Sequence, residues 1–173
     1  ARAFDVTVFD GSDTSAAVTK TITVVAENDT PTVALTTASE NFAEIDGADT
    51  TANDVSFAGT VSDLDGDAIA SITLTFAAAD IDDGASEQLL VGGSTIALNA
   101  AAASTTLSSA VDSVSYSVVV ADSGTDRTVT FTKDGGGNVT KAQADALLAA
   151  LKYNNASDDP TAGARAFEVT VSD

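Results

Sequence analysis

Ala1-Arg2-Ala3-Phe4-Asp5-Val6-Thr7-Val8-Phe9-Asp10 and Ala164-Arg165-Ala166-Phe167-Glu168-Val169-Thr170-Val171-Ser172-Asp173 are near copies of each other. Seven of their first eight positions are identical, the remaining one exchanging Asp5 for Glu168. Phe4, Val6 and Val8 alternate with Asp5 and Thr7, so each copy reads as a β-strand with one apolar and one wet face. A match of this quality across 163 residues marks a tandem array, of which the chain is a window of about one period. Two similar strands inside one domain are the plainer alternative. The chain opens in mid-strand, with no basic segment leading into an apolar one, and is expected to be an internal excerpt.

Working outward, Ile22 and Val24 resume the alternation after a loop from Asp10 to Ala17, which predicts a β-hairpin over residues 3–25. Further strand signals are Val33–Leu35, Val55/Phe57/Val61, Ile72/Leu74/Phe76, Leu89–Val91, Val114/Tyr116/Val118/Val120, Val129/Phe131 and Phe167/Val169/Val171. Gly-, Asp-, Ser- and Thr-rich connections separate them. Short strands at this spacing predict an all-β fold, an antiparallel Greek-key β-sandwich. One segment departs from the pattern. Thr140-Lys141-Ala142-Gln143 is a capping box, and Ala144, Leu147, Leu148 and Leu151 form a helical stripe. It predicts one short α-helix before the last strand, capped near Tyr153 and ended by Asn154–Asn155. The Ala/Ser/Thr tract from Leu98 to Ser109 reads as a loose surface excursion.

Charge narrows the chemistry. The 173 residues carry 26 acidic and 7 basic side chains, a net charge of -19, and no His, Cys, Met or Trp. Disulfide scaffolds, zinc and haem ligation, thiol nucleophiles and a Ser-His-Asp triad are therefore excluded. The sign of the charge argues against nucleic acid and anionic membrane surfaces, and no apolar stretch approaches the ~20 residues of a membrane span. At 44% hydrophobic residues the chain is rich enough to build a core despite its charge. Ca²⁺, which takes oxygen ligands, is the natural counter-ion for so many carboxylates.

The order of four phrases resembles the cadherin-like (Ig-like) tandem repeats of large bacterial RTX-type surface adhesins. Ala26-Glu27-Asn28-Asp29-Thr30-Pro31 resembles the acidic linker between repeats, and Val61-Ser62-Asp63-Leu64-Asp65-Gly66-Asp67 the Asp-x-Asp loop after the second strand. Val169-Thr170-Val171-Ser172-Asp173 resembles the penultimate strand with its terminal Asp. The passage from Tyr153 to Gly163 resembles the family's helix-to-strand connection. The resemblance places the end of a preceding repeat in residues 1–27 and a cadherin-like repeat, lacking its own last strand, in residues 28–173. It implies calcium at junctions between repeats.

Counting strands assigns the ligands. The linker enters at the top, one strand runs down and the next returns to Val61, so Asp63, Asp65 and Asp67 lie at the top again. A last strand running upward adds Asp173. Glu27, Asn28 through its carbonyl, Asp29, Asp63, Asp65, Asp67 and Asp173 are the expected metal ligands, and each is equally readable as a solvated turn residue. Ala26 stands where the family carries a further Asp, which removes one ligand. Glu44, Asp46, Asp158 and Asp159 are expected at the opposite end, facing the next junction. Asp63-x-Asp65-Gly66-Asp67 is no EF-hand, since Gly66 comes two places early and Leu74 stands where Glu is required. Asp80-Ile81-Asp82-Asp83-Gly84 fails the same pattern at Val91 and reads as a turn, with a secondary ion site as the alternative.

The resemblance implies an extracellular, calcium-binding extender repeat that supports cell adhesion or biofilm formation, with neighbouring repeats as head-to-tail partners. A carbohydrate- or protein-binding module, taking glycans or surface proteins, is the alternative, though aromatics make up only 5% of the chain. An enzyme is not expected, because the carboxylates crowd turns rather than a cleft. Residues 28–173 would lack a final strand while residues 1–25 hold a spare one. The linker from Ala26 to Thr30 spans at most ~17 Å, too short to return Val18–Val25 to the same sheet. Completion from another copy, or an open edge, is expected.

Overall fold

In the computed structural model, the described residues are 1–43, 54–66, 68–99, 101–107 and 110–173. Glu44, Asp46 and Asp67, and Ser108 and Ser109 of the Ala/Ser/Thr tract, lie outside them. The protein is mostly β with a single helix among the described residues, in agreement with the predicted all-β sandwich.

The larger sheet has five antiparallel strands in the order β13 (Glu168–Ser172), β6 (Ser71–Ala77), β11 (Asp126–Lys133), β10 (Tyr116–Asp122) and β9 (Ala102–Thr106). The smaller has four, in the order β4 (Val55–Ser56), β12 (Lys152–Asn155), β7 (Glu87–Val91) and β8 (Ser94–Ala97). Period-two alternation sends Ile72, Leu74, Phe76, Tyr116, Val118, Val120, Val129 and Phe131 of the larger sheet inward. They meet Leu89, Val91, Ile96 and Tyr153 of the smaller sheet in one core cluster. Burial pushes the Tyr116 hydroxyl up to about 12, and it donates to the Gln143 carbonyl at 3.2 Å.

The helix α1 (Lys141–Ala150) begins at the expected capping box: Gln143 N–H donates to Thr140 Oγ1 at 3.3 Å and Thr140 N–H to Gln143 Oε1 at 3.0 Å. Ala144, Leu147 and Leu148 are buried beneath it. It stops earlier than predicted. Leu151 turns to extended backbone, and Lys152–Asn155 becomes β12, so Tyr153 is a sheet residue and not a helix cap. The reason is pairing on both flanks: Tyr153 lies opposite Leu89 on one side and Val55 on the other.

Two further expectations are corrected. The run Val55/Phe57/Val61 is two strands, not one. β4 joins the smaller sheet, whereas β5 (Gly59–Ser62) pairs with β3 (Thr32–Leu35). The chain changes sheets at buried Phe57, and Gly59 permits the crossing, because a Cβ there would stand 2.7 Å from the Ala34 carbonyl oxygen. Within the tract from Leu98 to Ser109, Ala102–Thr106 pairs with β10, and Leu98 and Leu107 are buried. Also unforeseen is β8, which follows β7 through Gly92–Gly93, both at positive φ (54° and 77°), as a two-residue hairpin turn requires.

The hairpin predicted over residues 3–25 is present as β1 (Arg2–Val6) paired with β2 (Val18–Ile22), from Arg2 opposite Ile22 to Val6 opposite Val18. Every residue from 1 to 30 is exposed, and Phe4 (52%), Val6 (59%) and Val18 (71%) stand open to solvent.

Candidate functional site

Ladder register decides what gathers at the first pole. Pairing of β3 with β5 sets Thr32 opposite Ser62, and Thr32 Oγ1 donates to the Ser62 carbonyl at 3.3 Å. The linker from Ala26 to buried Pro31 is thereby laid beside the loop that starts at Asp63. Pairing of β13 with β6 sets Ser172 opposite Ser71, and Ala70 N–H donates to the Ser172 carbonyl at 2.7 Å. Asp173 therefore reaches the same loop.

Three segments distant in sequence converge there. Asn28 Nδ2 donates to Asp173 Oδ2 at 2.9 Å, and Asp29 N–H donates to Asp65 Oδ2 at 2.6 Å. Asp63 Oδ2 is sealed from solvent. Gly66, which follows Asp65, has φ +75°, a backbone conformation that glycine adopts without strain. Of the residues expected from the sequence, Asn28, Asp29, Asp65 and Asp173 are directly linked, with Asp63 two residues from Asp65 on the same loop. Glu27 is exposed on the linker, and Asp67 lies outside the described residues.

Whether these groups suit a calcium ion is a matter of free oxygens. Each of the two hydrogen bonds occupies one carboxylate oxygen of Asp65 or Asp173 and leaves the second one available. Among the described residues, however, no group of three or more acidic side chains is arranged to hold a metal. Ca²⁺ takes about six to eight oxygens.

The opposite pole is built differently, and sequence reasoning missed its centre. Glu87 is completely buried and accepts from Arg165 Nε and Nη2, both at 3.0 Å, from Tyr153 Oη at 2.8 Å, and from Asp83 N–H at 3.1 Å. Asp83 accepts from Asn155 Nδ2 (2.7 Å), Thr161 Oγ1 (2.7 Å) and Thr161 N–H (2.9 Å). Arg165 also lies 3.4 Å from Asp82. Burial acts to raise the Asp83 carboxyl, but the hydrogen bonds of Thr161 and Asn155 and the charge of Arg165 prevail and hold it below the usual range. The Glu87 hydrogen bond holds Arg165 above the ordinary guanidinium range. Burial first, then Glu87, pushes the Tyr153 hydroxyl up.

A signal for this centre exists in the sequence. Glu87 precedes Leu89 and Val91 at period two, so it occupies a core-facing position where a carboxylate needs buried hydrogen-bond donors or a cation. The segment Asp80–Gly84, expected to be a turn, forms part of this pole, where Asp82 and Asp83 pair with Arg165. Asp158 and Asp159 are exposed on the adjoining loop.

No protein-family model, curated protein or solved structure matches this chain.

Proposed function

We propose that the protein is a structural extender repeat of a long secreted bacterial adhesin, joined to its neighbours through Ca²⁺ at its poles and thereby supporting adhesion at the cell surface. The contact of Asn28 with Asp173, beside that of Asp29 with Asp65, carries the proposal. Linker, second-strand loop and last strand bring carboxylates to one pole, where a net charge of -19 makes a divalent cation the natural bridge. Asp158 and Asp159 of an adjacent repeat would complete the coordination shell across the junction. The repeated ten-residue motif and the resemblance to cadherin-like adhesin repeats support an array of such modules in series. Cation binding to the folded form stabilises it by mass action, so export from low to high calcium would stiffen the array.

Thermal melts of the chain in millimolar Ca²⁺ and in excess chelator test the proposal. A melting temperature several degrees higher in Ca²⁺, with the increment reduced in Asp65→Asn and Asp173→Asn, is expected. Equal melting temperatures would refute calcium bridging.

A further inference from the structure

We propose that β8 is a docking edge for the β8 of a second copy of this chain, the two strands pairing antiparallel about a two-fold axis at Ile96. β8 is an end strand of the smaller sheet, and among the described residues its only ladder is with β7. Leu98 N–H donates to the Glu87 carbonyl at 3.0 Å. Alternation along the antiparallel ladder then turns the backbone groups of Ser94, Ile96 and Leu98 toward β7, and those of Thr95 and Ala97 outward. The edge therefore presents the N–H and C=O of two exposed residues to an incoming strand.

Sheet edges are commonly defended by brevity, bulges, proline or charge. β4, at the other end of the same sheet, has two residues and follows Asp54. β9, an end strand of the larger sheet, shifts register against β10 between Val118 and Val120. β8 has no such defence: its register with β7 is unbroken, and Ser94-Thr95-Ile96-Ala97 holds neither proline nor charge. Charge also selects the occupant. From Gln88 to Val111 the sequence runs 24 residues without Asp, Glu, Lys or Arg, and no other such run exceeds 12. Chains of net charge -19 repel one another, and the repulsion is least where neither surface contributes a charged residue of its own. An edge inside this run is where one copy can best meet another.

The strand is complementary to itself. With both copies of Ile96 on the axis, Thr95 of each chain stands opposite Ala97 of the other, and each such pair exchanges two backbone hydrogen bonds. The two Ile96 side chains, each 8% exposed at the margin of its core, meet across the new ladder. The two smaller sheets become one of eight strands. A two-fold contact closes on itself, so the assembly stops at a pair. It also reverses the direction of one chain relative to the other, which suits chains that approach from two facing surfaces. Pairing along so short a strand is weak alone, and repetition along an array would multiply it.

The pairing requires neither calcium nor a tandem array, so it is tested in excess chelator, where its failure is distinct from that of the adhesin reading. Sedimentation velocity across a hundred-fold concentration range, in salt high enough to screen the charge, should show the mass rising from 17.2 kDa toward twice that value and no further. Thr95→Pro removes an outward N–H that β7 does not use, and should stay monomeric. Thr95→Glu keeps the backbone, places a carboxylate on the edge, and should associate at least tenfold more weakly. The chain has no cysteine, so mixing Thr95→Cys with Ala97→Cys under oxidation should give a covalent heterodimer, while Thr95→Cys alone should give several-fold less. A wild-type chain that stays monomeric throughout, or variants that associate as the wild type does, would overturn the docking edge. Mass growing beyond two copies overturns the closed pair. Thr95→Cys trapping itself as readily as the mixture overturns the antiparallel register.

Discussion

Residues 2–8 and 165–171 differ at one position, yet the structure treats them as different material. Phe4 is half exposed, whereas Phe167 packs edge-on against Phe57, with ring centroids 5.3 Å apart, and lies 5.2 Å from Phe76. Arg2 is exposed; Arg165 makes a bidentate pair with buried Glu87. The alternation in the motif specifies which side chains share a face. What that face meets is decided by the strands that surround it.

The largest contrast is expected at the arginines. Arg165→Ala leaves Glu87 buried without its cation and should destabilise the fold by about 3–5 kcal/mol, while Arg2→Ala should change it by less than ~0.5 kcal/mol, both read by chemical denaturation. Comparable losses at the two positions would show that the hairpin is as well packed as the sandwich. The aromatic pair should differ less. Phe167→Ala removes a ring that is only part-buried, so about 2–3 kcal/mol is expected, against nearly none for Phe4→Ala.

A smaller effect separates the poles by pH. The Asp83 carboxyl is held below its unfolded value of 3.8, so its contribution is complete above that value and fades as pH falls through the folded one. The melting temperature should therefore drop below about pH 4. Asp83→Asn should soften the drop without abolishing it, because Asp122, held down by the Gly124 N–H and by Arg127, responds in the same direction. A variant with an unchanged acid limb would remove Asp83 from this role.

Legibility followed the range of the interactions concerned. The capping box at Thr140 and Gln143, the stripe of Leu147 and Leu148, and the alternation of Ile72, Leu74 and Phe76 are local, and each is readable from neighbouring letters. Local letters make Tyr153 and Asn154–Asn155 the end of a helix, whereas the strand character of Lys152–Asn155 comes from β4 and β7, distant in sequence. Likewise, nothing local at Phe57 tells that the chain leaves one sheet for another. At the first pole, strand counting is enough to bring Asp173 and the linker to the loop of Asp63 and Asp65, since antiparallel direction alone decides which ends meet. At the second pole, the partner of Glu87 lies 78 residues away in the repeated motif, and only three-dimensional packing joins them.

Small-angle scattering on a chain of two whole repeats, in millimolar Ca²⁺ and in excess chelator, tests most directly whether calcium joins successive modules. A longer maximum dimension and a rod-like profile in Ca²⁺, giving way to a shorter and broader distribution in chelator, is the expected result. The same dimension and profile in both would contradict it.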